Sequence, residues 1–405
     1  MSLLNEVGSI NQLKKSWEYL KSKGVVTPGI DDESLYVFSV SVDQNLQTIS
    51  TSIFQKNYSM NKIRTSKIPK NKLSTTKEKR TINIYTIRDK IVQKSILLSI
   101  EKYFPGIKNS ISVGFIHKLS GVSIAVERIK KYFKLGYKLV ITADIENFFD
   151  NIDRKRLSNI IYKFLPDTSL NWLIDQCLYP SVIEKDIYNS LEKSLADTGN
   201  GVAQGSILAP FFSNIYLVDF DKELENNEIK AIRYADDMAI MANSDKKADE
   251  ILKIITSMIN KYGLQFHPSG SEKAPRVNSL RYYANFLGLR LQVHKKNSWI
   301  IQPTDEKIKY MNKILSETLN DVKLPFYKRL EKINQRIEGW YITYKHSKCT
   351  RHELRLIYRK TKEKLENGLN SLFKKEQITN KWLSTNQLEF FGIPSIKKMD
   401  ALLMK

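Results

Sequence analysis

The sequence predicts an α+β fold in which helices and strands occupy different stretches of the chain. Apolar residues recur at helical spacing over residues 5–23, and Lys-rich amphipathic patterns continue from about residue 304. Between these regions, apolar runs at 137–144 and 231–241 have the length of buried strands. Each run carries aspartate at its end or bend, so the strands are expected to bring carboxylates together.

Composition favours a nucleic-acid partner. The chain has 405 residues and 41% hydrophobic residues, enough for one multi-lobed enzyme or two to three modules with a sizeable core. Lys and Arg number 65 against 43 Asp and Glu, a formal net charge of +22. Such an excess favours a polyanionic partner, nucleic acid first and an acidic membrane surface second.

Cysteine usage and hydropathy indicate a soluble cytoplasmic protein. Cys177 and Cys349 are far apart and lack metal-ligand spacing, so neither a zinc site nor a disulfide framework is predicted. The N-terminus has no basic segment followed by an apolar core, and no apolar run approaches membrane-spanning length. We therefore expect no membrane association.

A basic segment near residue 80 predicts a phosphate clamp. Residues 70–80 form a polar, basic loop that leads into a strand and then a helix over 80–93. Arg80 and one of Lys77 or Lys79 are placed to neutralise a triphosphate, since Arg and Lys are the usual phosphate clamps. A solvated basic loop is the alternative.

The first central strand delivers Asp144 at its end. Two-metal phosphoryl transfer needs acidic ligands on neighbouring strands, which share ions about 3.5–4 Å apart. Phe149 follows five residues later, where its ring would lie under an incoming sugar and clash with a ribose 2′-hydroxyl. Core packing is the alternative for Phe149 and the expectation for Phe148. Asp150 and Asp153 are expected to cap the following helix.

A glycine-rich loop at 199–210 runs into an apolar helix. Such a loop lets backbone and small side chains approach a template–nucleotide pair closely, and Gln204 is a candidate polar contact to that pair. A simple turn is the alternative.

The second run, 231–241, predicts two strands joined by a tight turn with Asp236 and Asp237 at the bend. Adjacent buried carboxylates need a positive neighbour, and a divalent metal serves best. A solvated turn explains this run equally well on its own. The earlier strand with Asp144 supplies a second carboxylate and favours the metal site.

These motifs together resemble a known family. Asp144 with Phe149, the loop Val-Ala-Gln-Gly-Ser-Ile-Leu-Ala-Pro at 202–210, and Arg-Tyr-Ala-Asp-Asp at 233–237 occur in the order and approximate spacing of the reverse transcriptase palm. The chain resembles bacterial reverse transcriptases of the group II intron-like lineage. The resemblance implies a right-hand polymerase fold, with an N-terminal extension and fingers at 1–136, a palm with an antiparallel sheet and the catalytic centre at 137–292, and a helical thumb at 304–405.

The resemblance also implies a cofactor and site residues. It implies two Mg²⁺ ions, with Asp144, Asp236 and Asp237 as the catalytic, metal-binding acids. Arg80 matches the nucleotide-contacting arginine of the family. Lys273 is a candidate to protonate the leaving pyrophosphate. An insertion at Ser269-Gly270-Ser271 lengthens its spacing, and a solvated lysine is the alternative.

Five positions depart from the family pattern. The family normally has Pro and Gly where this chain has Thr81, Asn83 and Tyr85, and it usually has Pro and Ser at Ala203 and Ala209. The two alanines are small and are expected to preserve the path of the loop.

The C-terminal part is expected to grip nucleic acid. An amphipathic helix is predicted to cover the palm sheet, and a later hairpin resembles the one that holds the primer end. Basic helices with interleaved aromatics suit a surface that follows a primer–template duplex. These elements are predicted at 246–262, 283–291, 305–317, 325–345 and 351–375.

We therefore expect an RNA-directed DNA polymerase that adds dNTPs to a 3′-hydroxyl, with an RNA template and a DNA product duplex as partners. No ribonuclease H or endonuclease module is expected after the thumb. The architecture thus resembles free-standing antiviral-defence reverse transcriptases, which often work with a dedicated non-coding RNA. A non-catalytic maturase-like RNA-binding scaffold, and a protein-primed or template-independent polymerase, are the alternatives. Template, primer and homo- or hetero-oligomeric state remain open.

Overall fold

The computed structural model describes residues 2–24, 26–69, 79–115, 121–181 and 199–345, together with residues 363 and 367. In these ranges helices surround antiparallel sheets, which confirms the predicted α+β class. The elements of the first half are α1 (Leu3–Val7), α2 (Ile10–Ser22), α3 (Leu35–Val40), α4 (Val42–Phe54), β1 (Arg64–Pro69), β2 (Lys79–Ile84), α5 (Ile87–Ile100), α6 (Val122–Lys134), β3 (Leu139–Asp144), α7 (Phe148–Asn151), α8 (Arg154–Phe164) and α9 (Asn171–Leu178). Those of the second half are α10 (Ala209–Tyr216), α11 (Val218–Asn226), β4 (Ala231–Tyr234), β5 (Asp237–Ala242), α12 (Asp245–Asn260), β6 (Arg276–Ser279), β7 (Ala284–Phe286), β8 (Leu289–Val293), β9 (Trp299–Pro303), α13 (Asp305–Leu319) and α14 (Phe326–Lys345).

The helix predicted over residues 5–23 is two helices, so that prediction was wrong about continuity. Ser9 has an extended backbone, and its side chain accepts a hydrogen bond from Gln12 N at 3.3 Å. This N-cap starts α2 and separates it from α1. The apolar spacing within α2 was predicted correctly, since Leu13, Trp17 and Leu20 are buried.

A four-stranded antiparallel sheet with the order β4–β5–β3–β6 forms the centre of the structure. Ile141 of β3 pairs with Ile240 of β5, and Val140 pairs with Met241. Because side chains alternate along a strand, the first pair faces one hydrophobic cluster and the second pair faces the other. A sheet buried on both faces explains the apolar runs, and it leaves its strand ends as the places for polar chemistry.

The helix predicted at 246–262 is confirmed as α12. Ser244 caps it by accepting a hydrogen bond from Lys247 N at 3.3 Å. Ile251, Ile255 and Ile259 are buried on the face toward the sheet.

Two smaller sheets flank the central one. β1 and β2 form an antiparallel ribbon in which Arg64 pairs with Ile84. The hairpin predicted at 283–291 corresponds to β7 and β8, which β9 extends to three strands.

The basic C-terminal helices follow the third sheet. α13 and α14 confirm the helices predicted at 305–317 and 325–345. The helix predicted at 351–375 lies outside the described residues apart from residues 363 and 367. Within the described ranges, no helix combines the length and the apolar character that a bilayer crossing requires.

Candidate active site

The three sequence-predicted aspartates meet at one end of the central sheet. Asp144, the last residue of β3, pairs in register with Asp237, the first residue of β5. Asp236 lies in the turn before β5, and its carbonyl oxygen accepts a hydrogen bond from Ile145 N at 3.2 Å. The sequence placed both hairpin aspartates at the bend, whereas only Asp236 is in the turn. This shift brings Asp237 directly opposite Asp144.

Burial of like charges perturbs these carboxyl groups. Burial raises the pKa of Asp237 to about 7, and the negative charges of Asp236 and Asp144 add to the shift. Burial and the charge of Asp144 also raise the pKa of Asp236, while the positive charges of Lys273 and Arg80 oppose the rise. The cluster therefore favours cations, and Arg80 lies close enough to act on it electrostatically.

Two further side chains contact Asp144. Lys273 Nζ lies 2.7 Å from Asp144 Oδ2, and His267 Nε2 lies 3.1 Å from Asp144 Oδ1. His267 N also donates to the Asp144 carbonyl oxygen at 3.2 Å. Burial opposes the charge of Lys273, but its hydrogen bond and charge interaction with Asp144 raise its pKa overall. The structure thus brings Lys273 to the carboxylates despite the insertion that precedes it.

The donor set of the site fits a divalent cation. Three carboxylates offer only oxygen ligands, which Mg²⁺ prefers, and the raised pKa values of Asp236 and Asp237 show that added positive charge would stabilise these two groups. Among the described residues, no group of three or more His, Cys, Asp or Glu side chains is arranged so that it could hold a metal ion. Asp144 instead directs its oxygens toward Lys273 and His267.

The glycine-rich loop is held against the segment that carries Phe149. Val202 N donates to the Phe149 carbonyl oxygen at 2.7 Å, and Gly201 N donates to the Ile152 carbonyl oxygen at 2.7 Å. The buried Arg154 guanidinium donates through Nη2 to the Asn200 carbonyl oxygen at 2.6 Å. Phe149 is half-buried, so part of its ring remains accessible beside the loop.

Strand β2 lies across the other side of this loop. Asn83 N donates to the Gln204 carbonyl oxygen at 2.7 Å. A Cβ at Gly205 would lie 2.1 Å from the Asn83 carbonyl oxygen, and the φ of Gly205 is +112°. Only glycine permits this approach. The contact joins Gln204 to the strand that carries Arg80 and Lys79, both of which are exposed.

A family comparison identifies the class of protein. The family described as reverse transcriptase (RNA-dependent DNA polymerase) matches residues 68–291, more than half of the chain. The chain belongs to the reverse transcriptase family. The matched range contains the three aspartates, the glycine-rich loop and β2, and the polymerase fold implied by the resemblance is confirmed.

Similar proteins include a group II intron-encoded protein. The chain is 29% identical to the group II intron-encoded protein LtrA of Lactococcus lactis subsp. cremoris over 201 residues, which cover 50% of this chain and 31% of that protein. It is 25% identical to protein YkfC of Escherichia coli (strain K12) over 209 residues, covering 51% and 52% of the two chains. The matches thus span from about a third to about half of these relatives' lengths.

Solved structures give weaker likenesses. A partial Cas6-RT-Cas1--Cas2 complex aligns at 22% identity with a TM-score of 0.37, covering 64% of this chain and 43% of that one. Telomerase from Candida albicans, in complex with the TWJ fragment of telomeric RNA, aligns at 11% identity with a TM-score of 0.42, covering 91% and 67%.

In this reverse transcriptase family member, the departures from the family pattern in β2 and the loop meet in space. Tyr85, one of the three departures near β2, and Ala203, where the family usually has Pro, form a small buried cluster with Ile63. The large side chain at one position packs on the small one at the other. The segment that ends β2 and the loop therefore remain in contact although both depart from the family pattern.

Sequence reasoning missed the residues that support the reverse transcriptase hairpin. Arg233 is fully buried and forms a two-point ion pair with Asp221, with Nε–Oδ1 and Nη2–Oδ2 distances of 2.7 and 2.5 Å. Arg233 Nη1 also donates to the Ala235 carbonyl oxygen in the turn at 3.2 Å. His267 was missed as well. The sequence offered one indication of its role, because His267 lies shortly before the candidate Lys273. Local periodicity does not show, however, that this segment folds back to Asp144.

The two aspartates expected to cap a helix have different positions. Asp153 caps α8, since its side chain accepts a hydrogen bond from Arg156 N at 2.9 Å. Asp150 instead lies within α7. Phe148, predicted to be a core residue, is 2% exposed and packs in the main hydrophobic cluster.

Proposed function

We propose that this chain is an RNA-directed DNA polymerase that adds dNTPs to a 3′-hydroxyl at the Asp144, Asp236 and Asp237 cluster. The pairing of Asp144 with Asp237, next to Asp236 in the turn, carries the proposal. Asp144 and Asp236 would hold two Mg²⁺ ions, and Asp237 would support the site electrostatically. When bound, the ions lower the pKa of the primer hydroxyl and neutralise the triphosphate and the leaving pyrophosphate.

The surrounding side chains would bind and orient the nucleotide. Arg80 and Lys79 would clamp its phosphates from β2, and Gln204 would help position the base pair. Lys273 would keep its proton because its pKa is raised, and could donate it to the leaving pyrophosphate. Its contact with Asp144 supports this position in the site.

The lobes implied by the family follow from this function. We assign the N-terminal extension and fingers to 1–136, the palm to 137–292 and the thumb to 304–405. β2 would then be the fingers strand that contacts the palm loop through Asn83 and Gln204. Expression of 1–303, which keeps β8 and β9 and removes only the assigned thumb, tests the last boundary: it should bind a dNTP but hold a primer–template duplex weakly. Binding of the duplex as tight as that of the full chain would contradict the assignment.

Removing charge from the hairpin tests the catalytic proposal. The variant Asp236→Asn/Asp237→Asn should lose incorporation of labelled dNTPs on a primed RNA template, because the cations lose the Asp236 ligand and the supporting charge of Asp237. Loss of about 10³-fold or more is expected for the removal of transition-state charge stabilisation. Asp31→Asn/Asp32→Asn is the matched control, since it neutralises another adjacent pair that is exposed in a turn. Incorporation of dNTPs by the hairpin variant at the wild-type level would contradict the proposed mechanism.

Phe149 is proposed to exclude ribonucleotides. Replacing its ring in Phe149→Val should raise ribonucleotide use relative to deoxynucleotide use by about tenfold or more, the range that one steric contact provides. Phe148→Val is the matched control, because that neighbouring ring is 2% exposed and packs in the core. The control should lose about 1–3 kcal/mol of folding stability and keep its selectivity. An unchanged ribose preference in the Phe149 variant contradicts the proposed role.

The same assays separate the alternatives. Failure of the wild-type protein to extend any primed template would favour a non-catalytic RNA-binding scaffold. Nucleotide that becomes covalently attached to the protein, without added primer or template, would favour protein-primed synthesis.

We further propose that the protein works with a dedicated non-coding RNA and that it serves antiviral defence in the cytoplasm. The net charge of +22 supports a nucleic-acid partner, and the defence setting rests on the resemblance to free-standing reverse transcriptases. Sequencing nucleic acid that co-purifies with the wild-type protein should yield one defined RNA and its complementary DNA. Plaque counts on cells that carry the wild-type or the Asp236→Asn/Asp237→Asn protein test the defence role, which equal counts would contradict.

A further inference from the structure

Phe115 lies at the same end of the sheet as the aspartates. Ser112 forms a parallel bridge with Arg233, and Val113 N donates to the Arg233 carbonyl oxygen at 2.8 Å. The two bridged chain segments run in the same direction. Phe115 follows Ser112 by three residues, and Asp236 follows Arg233 by three residues. Phe115 therefore emerges beside the catalytic turn.

Contacts with the hairpin hold Phe115 in place. A Cβ at Gly114 would lie 2.9 Å from Ala235 N, so only glycine allows this segment to approach the turn. Asn214 Nδ2 donates to the Gly114 carbonyl oxygen at 2.8 Å. The Phe115 ring packs on the Tyr234 ring, with 5.3 Å between ring centroids and 54° between ring planes.

Two features of Phe115 lower the stability of the folded protein. Its φ is +57°, a left-handed conformation that bulky side chains rarely adopt. Its side chain is also 46% exposed, although an aromatic ring gains stability from burial. Strained residues of this kind cluster at functional sites, where the surrounding structure holds them for a ligand.

We infer that Phe115 and Tyr234 form an aromatic shelf that contacts the terminal base pair of the primer–template duplex. The inference rests on the proposed function, because the carboxylates beside the shelf would act on the primer 3′-hydroxyl. The duplex end is therefore the part of the nucleic acid nearest to the shelf. Aromatic faces contact bases without regard to sequence, as a template-directed polymerase requires.

Binding of a primed template without dNTP tests the shelf. Phe115→Ala should weaken binding by about fivefold or more, the lower range for loss of one aromatic–base contact. Phe115→Leu keeps apolar volume without a ring face and should give a similar loss, whereas Phe115→Tyr should bind like the wild type. Phe164→Ala is the matched control: that ring is 45% exposed and packs on Phe104, with ring centroids 5.7 Å apart. It should leave binding unchanged.

An abasic primer terminus separates direct contact from a structural role. On a duplex whose terminal primer nucleotide lacks its base, Phe115→Ala should bind almost as tightly as the wild type. A loss of equal size on both duplexes, or binding like that of Phe164→Ala, overturns the shelf. Primer extension by the wild type is measured in parallel. If the wild type binds the duplex but does not extend the primer, the proposed function is overturned. The comparison of the intact and the abasic duplex still tests whether Phe115 contacts the terminal base.

Discussion

Arg233 and Asp237 belong to the same hairpin but have opposite electrostatic surroundings. Arg233 is fully buried and neutralised by Asp221, so it holds the Ala235 carbonyl oxygen without an uncompensated charge. Asp237 is half-buried beside two other carboxylates, and its loss of hydration, followed by their repulsion, raises its pKa. The hairpin thus combines a neutralised anchor with an acidic cluster that a cation would stabilise.

The pKa of Asp237 gives a pH-dependent stability prediction. Its pKa rises from 3.8 in the unfolded chain to about 7 in the folded protein, so the folded state binds more protons between these values. The free energy of unfolding therefore falls as pH rises through this window, and the full destabilisation is present above pH 7. Asp237→Asn removes it. The variant should be roughly 2–4 kcal/mol more stable than the wild type at pH 8 and nearly equal below pH 4.

Urea denaturation at several pH values measures this difference. Asp219→Asn is the control, because Asp219 is an exposed surface carboxylate in an i,i+3 ion pair with Lys222. Added Mg²⁺ should narrow the gap at pH 8 by stabilising the wild type more than the variant, which lacks the supporting charge of Asp237. A gain in stability that does not vary with pH would contradict the assigned repulsion.

At the scale of elements, β2 and the glycine-rich loop form one unit that faces the carboxylates. Their contact depends on Asn83 and Gly205, and the loop is tied on its other side to Phe149 and Arg154. The proposed phosphate clamp and the proposed sugar wall thus share one scaffold, which lies within the range matched by the reverse transcriptase family.

Gly205→Ala tests whether this contact positions the nucleotide. The new Cβ would lie 2.1 Å from the Asn83 carbonyl oxygen, so β2 must move away from the loop. We expect kcat/KM for dNTP incorporation to fall about 10- to 100-fold, as when catalytic groups are displaced by about 1 Å. Gly199→Ala is the control, because Gly199 also has a positive φ, +68°, but no atom of the described residues lies within 4 Å of a Cβ placed there. Equal losses in the two variants would contradict the positioning role.

At the scale of the whole molecule, the central sheet lies between two hydrophobic clusters. One cluster contains Leu3 at the N-terminus and Phe266 after α12, and the other contains Val113 and Ile337 of α14. Segments far apart in the chain therefore share each core. This packing leaves the end of the sheet as the polar site, within a chain of net charge +22.

The net charge predicts strong salt dependence of duplex binding. If the duplex is held through about five or more phosphates, the logarithm of the binding constant should fall with the logarithm of salt concentration at a slope of about −4 or steeper. Titrations of a primed template at increasing KCl measure the slope. A duplex with an uncharged peptide-like backbone in its primer strand is the control and should give a shallower slope. A slope near zero for the natural duplex would contradict a backbone-tracking surface.

The sequence by itself determined the class of fold, the strands that carry the three aspartates, and the helices α12, α13 and α14. These features follow from local periodicity, because burial of a face repeats every two residues in a strand and about every 3.6 in a helix. The motif order also led to the reverse transcriptase family, which the family match confirms.

Only the tertiary structure decided which partners surround the carboxylates. His267 lies 123 residues after Asp144 and Lys273 lies 129 after it, yet both contact its carboxylate. Phe115 likewise reaches the hairpin from more than a hundred residues earlier, through Gly114 and Tyr234. Such contacts depend on how distant segments pack on a shared sheet. Local sequence patterns do not indicate that packing. The three aspartates were therefore predictable from the sequence, whereas most of the residues around them were not.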